Sequence, residues 1–85
     1  MKVKVLYFAG LREQLGKPGE DLELSPAVST VAGVRSLLMA RGGAWQTALA
    51  QGKALCVAVN QDMAQPTTPV KSGDEVAFFP PVTGG

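Results

Sequence analysis

The spacing of hydrophobic residues changes several times along this chain, and the order of those changes limits the folds open to it. KVKVLYFA alternates at period two, with Val3, Val5 and Tyr7 on one face and Lys2, Lys4, Leu6 and Phe8 on the other. That is the pattern of a strand with one buried face. Gly10 breaks it, and LREQLG then sets Leu11 and Leu15 one helical turn apart before Gly16 stops the helix. After turn chemistry in KPGE, DLELS alternates again and predicts a second strand, returning antiparallel to the first. STVAGVRSLLMARGG shifts to helical spacing through Val31, Val34, Leu37, Leu38 and the stem of Arg41. Ser29 or Thr30 suits its N-cap, Arg41 its negative end and Gly42 a left-handed C-cap. Gly33 inside the first turn costs about 1 kcal/mol relative to Ala.

AWQTALAQG predicts a short second helix with Trp45, Ala48 and Leu49 on one side. KALCVAVN reads as a strand with Leu55, Val57 and Val59 on one face, and NQD turns it. MAQPTTPV carries two prolines, which suits a loop or an edge strand. KSGDE is a further turn and EVAFF the last strand. One main helix therefore covers one face of a mixed sheet, with the other face toward water. The order predicts an α+β chain in the ubiquitin-like β-grasp arrangement. At 85 residues it is one domain, able to bury about 60% of its unfolded surface. The expected division is a β-grasp domain over 1–79 and a tail over 80–85. The expected core is Val3, Val5, Tyr7, Val31, Val34, Leu38, Leu55, Val57, Val59, Val76 and Phe78.

What is missing narrows the chemistry. A net charge of +1 without a basic or acidic block argues against nucleic acid or an anionic membrane as the main partner. With no His, a Ser-His-Asp or Cys-His pair and a His-containing zinc site are all ruled out. Cys56 is the single cysteine, so no internal disulfide or four-thiolate metal site can form, and its apolar surroundings in ALCVAV suit packing. No metal is expected. There is no Gly-rich phosphate loop. The first ten residues are too short and too alternating for a signal peptide, and no stretch could span a bilayer. A cytoplasmic protein is the expectation.

The reactive possibility lies at FFPPVTGG. On a chain with no other reactive group, the terminal carboxylate of Gly85 is the candidate functional group. Gly84 and Gly85 have no Cβ and can pass a narrow channel, while Pro80 and Pro81 stiffen the base of the tail. The six residues from Pro80 to Gly85 span about 20 Å when extended.

KVLYFAGLREQLG, TVAGVRSLLMARG, AVNQ and, most specifically, GDEVAFFPPVTGG resemble the small-subunit family of molybdopterin synthase, which are ubiquitin-like sulfur carriers. The resemblance covers essentially the whole chain. It implies that an ATP-using activating enzyme adenylates Gly85, that a sulfur donor protein converts the adenylate to a thiocarboxylate, and that the tail, Pro80, Pro81, Val82, Thr83 and Gly84, enters the large catalytic subunit. There the sulfur passes to a cyclic pyranopterin precursor in molybdenum cofactor biosynthesis, in a complex expected to be a heterotetramer. It further implies a chain that is not catalytic alone and binds no cofactor of its own.

Alternation turns Phe8 and Phe79 away from the core. If the first and last strands are neighbours, Phe8 and Phe79 share an exposed patch with Leu6 and Met63, the pattern of a docking surface. The position of Arg12 matches one that the family uses at partner surfaces. Three other readings stand beside this one: a sulfur carrier for thiamine or another thiolated product, a ubiquitin-like protein modifier, and a binding module with an inert tail.

Overall fold

The computed structural model describes residues 1–50 and 54–81. Its elements run β1 (Lys2–Tyr7), α1 (Gly10–Leu15), β2 (Gly19–Glu23), α2 (Val31–Met39), α3 (Gly43–Ala48), β3 (Cys56–Val59), β4 (Asp62–Met63) and β5 (Glu75–Phe79). The five strands form one sheet in the order β2-β1-β5-β3-β4. β1 and β5 are parallel, and the other neighbours are antiparallel. This is the expected mixed sheet and the α+β, ubiquitin-like β-grasp architecture.

The core is the meeting of two periodicities. Val3, Val5, Tyr7, Val76 and Phe78 point from the central strands toward Val31, Val34 and Leu38 of α2, and all are essentially shielded from water. Val57 is buried with them, whereas Leu55 and Val59 are only partly buried against the same cluster. Leu11, Leu22, Leu24, Ala48, Leu49 and Val70 complete it. Each fully buried Leu or Val side chain contributes about 1.5–3 kcal/mol relative to exposure.

The helix ends follow expectation at Gly16, which closes α1 at φ 76°, and at the start of α2, and depart from it at the end of α2. Thr30 caps α2, its hydroxyl oxygen accepting from the Gly33 N–H at 3.2 Å. A Cβ on Gly33 would lie 3.0 Å from a methyl of Val28, so close approach of the entering chain accounts for a glycine there. α2 stops at Met39, with Ala40 right-handed at the C-cap. Gly42 does take positive φ, 77°, but as the residue before α3. Leu37 is exposed rather than part of the core face. α3 forms as expected, with Trp45 packed against the core beside buried Ala48 and Leu49.

The MAQPTTPV segment begins in a two-residue edge strand. Asn60 and Gln61, at φ 51° and 71°, form the tight turn between β3 and β4, the left-handed pair that matches strand twist in a two-residue hairpin. Beyond Met63 the chain is irregular, tied to the start of α2 by the Thr30–Pro69 bridge and by backbone bonds from the Val31, Ala32 and Val70 N–H groups to the Thr68, Pro66 and Ser29 carbonyls, each 2.9 Å. No helix among the described residues is long and apolar enough to cross a membrane.

Candidate functional site: the open face of the sheet and the base of the tail

Because side chains alternate along strands, the face away from the helices can be read from the register. Leu6 pairs with Gly19 on β2 and with Ala77 on β5, Ala77 pairs with Ala58 on β3, and Ala58 pairs with Met63 on β4. One row, Gly19–Leu6–Ala77–Ala58–Met63, therefore crosses all five strands. It has no charged residue. Along the row, Leu6 and Met63 are three strand spacings apart, about 14 Å. The next row toward the tail pairs Phe79 with Cys56. The Phe8 N–H donates to the Phe78 carbonyl at 3.1 Å, one position past the Tyr7↔Phe78 pair, so Phe8 runs on beside Phe79.

Below these rows the same face is charged. Lys4 faces Asp21 on one side and Glu75 on the other, and Lys2 faces Glu23. The open face is thus split, apolar at the end where β5 delivers the tail and charged at the opposite end.

Exposure refines the expected patch. Phe8 is 44% and Met63 70% exposed, as a docking surface requires. Phe79 is only partly buried, not substantially exposed, because it is flanked on both sides, by the end of β1 and by Cys56. Met63 lies at the far edge, separated from Leu6 by the two alanines. Arg12 is exposed on α1. Ala58 and Ala77, which form the floor between the larger side chains, and Cys56 beside Phe79 are the members that the sequence pattern did not reveal.

Pro80 leaves the sheet against a groove of about 190 Å³, lined by Gly10, Leu11, Gln14, Ala48, Ala54, Leu55 and Pro80 itself. Pro81 is exposed. Val82, Thr83, Gly84 and Gly85 lie outside the described residues. Among the described residues no three of Cys, Asp and Glu converge on a site that could hold a metal ion.

A polar cluster lies on the other face. Glu20 receives the Tyr7 hydroxyl at 2.8 Å and both branches of the Arg41 guanidinium at 2.8 and 2.9 Å. Arg41 stacks 4.4 Å from the centre of Trp45, and the ring of Trp45 meets Tyr7 edge-on at 5.5 Å. The hydrogen bond from Arg41 holds the Glu20 carboxyl below its ordinary range, against the opposing effect of burial. Burial, and then the bond to Glu20, pushes the Tyr7 phenol up. These groups tie β1 and β2 to α3 and the segment before it, on the side of the sheet opposite the open face. Arg41 thus serves this cluster rather than the end of α2.

The family model described as the ThiS family matches residues 5–85. The chain is 45% identical over 83 residues to the molybdopterin synthase sulfur carrier subunits of Haemophilus influenzae and of Escherichia coli, covering 98% of this chain and 99% of each relative. Among solved structures, its fold superposes with a TM-score of 0.81 on SAMP1 from Haloferax volcanii, at 26% identity and full coverage of both chains. SAMP1 is the small archaeal modifier protein 1.

Proposed function

The chain belongs to the ThiS family, and from that premise we propose that it is the sulfur carrier subunit of a molybdopterin synthase. The observation that carries this reading is the 45% identity, over nearly the whole length, to two proteins named for that role. The apolar end of the open sheet face, adjoining the base of the tail, supports it as a place where a partner can seat while receiving Gly85.

The chemistry begins at a poor electrophile. A carboxylate is anionic and resonance-stabilised. The Gly85 carboxylate attacks the α-phosphorus of ATP in an activating enzyme, and pyrophosphate leaves. A sulfide-level nucleophile from the donor protein then attacks the acyl carbon. The C–S bond forms, the C–O bond to AMP breaks, and a thiocarboxylate remains. It is ionised and soft at neutral pH, for much the reason that a thiolate is. In the large subunit this sulfur attacks a carbon of the pyranopterin precursor, the new C–S bond replacing a C–O bond whose oxygen leaves, and hydrolysis of the resulting thioester returns the Gly85 carboxylate and leaves the sulfur on the pterin. The carrier contributes the reactive terminus, and its partners contribute the catalytic groups. It works in the cytoplasm as part of a heterotetramer with the large subunit.

The deciding experiment incubates the chain with an activating enzyme, ATP and a sulfur donor, and measures its intact mass. Replacement of one oxygen by sulfur at Gly85 is expected, followed by loss of that sulfur when the large subunit and precursor are added. The likeness to SAMP1 favours a second reading, protein modification. In that case the charged terminus would form an isopeptide bond with lysine, and the same mixture would yield conjugates instead of molybdopterin.

A further inference from the structure

Ala9 and Gly10 hold each other's natural backbone positions. Ala9 lies at φ 53°, ψ −131°, a region that glycine adopts freely and an L side chain strains to enter. Gly10, next to it, is the first residue of α1, and an added Cβ there would meet nothing within 4 Å. The fold would be better served by glycine at 9 and alanine at 10.

The hydrogen bonds around Ala9 do not require its side chain. Its carbonyl accepts from the Arg12 and Glu13 N–H groups at 3.1 and 3.4 Å, and the Phe8 carbonyl accepts from Leu11 at 3.2 Å. Glycine would make the same backbone bonds. Ala9 is also exposed, outside the core cluster. The domain therefore carries backbone strain for a methyl group that its own packing does not use.

The position of that methyl group suggests what does use it. Ala9 follows Phe8 at the apolar end of the open face and precedes Gly10, which shares a groove with Pro80. Gly85 lies five residues past Pro80, a reach of about 17 Å. A partner that holds Gly85 must come down over this end of the domain. We infer that the Ala9 methyl group is a contact point for the large synthase subunit, a specificity-determining residue whose strain is retained for the complex. This rests on the sulfur-carrier reading above.

Ala9→Gly separates fold from partner, because the two effects have opposite signs. Relief of strain, less the added freedom of glycine in the unfolded chain, should raise the Tm by about 5 °C. Loss of one methyl group from a buried contact should weaken binding to the large subunit about fourfold. With preloaded thiocarboxylate, the concentration needed for half-maximal transfer should rise while the maximal rate holds. Ala9→Ser keeps a Cβ and should retain both the wild-type affinity and the lower Tm. A glycine variant that melts lower overturns the inference, as does one that melts higher but binds as the wild type does. If the wild-type chain itself does not bind the large subunit, the sulfur-carrier reading fails and this inference fails with it.

Discussion

The Tyr7 hydroxyl donates to Glu20 at 2.8 Å on the same carboxylate that Arg41 grips with two nitrogens. Glu20 is therefore expected to make folding depend on acidity. Its folded-state pKa is lowered, so its contribution is fully present above the ordinary glutamate pKa, near 4.3. That contribution is lost as pH falls through the lower folded value. Unfolding in urea should show stability dropping below about pH 4.5. Glu20→Gln should be less stable by about 1–2 kcal/mol at pH 7 and should flatten that acid limb. An unchanged acid limb in the variant would assign the pH dependence to other carboxylates.

Gly19→Ala should destabilise the sheet. A Cβ at 19 would fall 2.6 Å from the Val5 carbonyl oxygen and 2.9 Å from a methyl of Leu6. The first of these is backbone and cannot swing away. A loss of about 1–3 kcal/mol is expected, read as a lower urea midpoint at constant m-value. A variant as stable as the wild type would show that β2 shifts freely against β1.

Phe8→Ala should reduce affinity for the large subunit tenfold or more, as expected for a central aromatic anchor at about 2 kcal/mol, with a Tm change of only about 2–4 °C. Phe79→Ala should cost more in stability than Phe8→Ala, since Phe79 is partly buried between two strands. It should still impair binding. If Phe79→Ala unfolds readily while binding is unaffected, the residue belongs to the fold and not to the docking face.

Deleting Gly85 should shorten the reach of the carboxylate by one residue, about 3.5 Å, and lower sulfur transfer by on the order of 100-fold. Appending one residue should block charging, because a peptide bond replaces the carboxylate at 85. Both variants should keep the wild-type Tm and bind the large subunit through Phe8. Normal molybdopterin production by either would make the terminus inert.

The elements were legible in the sequence because their signals are local. Alternation placed Val3, Val5 and Tyr7 inward, and Thr30 with the 31–38 spacing located the main helix. The floor of the open face was hidden for a different reason. Ala58 and Ala77 have little hydrophobic contrast with their neighbours, and they join Leu6 only through strand register, which is set by chain segments far apart. Arg41 was misassigned because Glu20, 21 residues away, competes for it more strongly than a helix end does. A bidentate charged pair outweighs the dipole interaction of about 0.3–1 kcal/mol at an exposed terminus. Leu37 fits helical spacing but falls outside the arc that the sheet covers, so its exposure follows from layer geometry rather than from its own pattern.

β5 lies between β1 and β3, with a parallel neighbour on one side and an antiparallel one on the other. It is also the strand from which the tail departs. Tension applied to the residues after Phe79 therefore runs along the strand axis and is shared across the rungs of two ladders at once. Edge strands peel one hydrogen bond at a time, whereas a central strand loaded in shear must release many together. On the sulfur-carrier reading, the end that receives sulfur is moored to a strand held on both sides. A partner can draw on it and let it go without unravelling the domain.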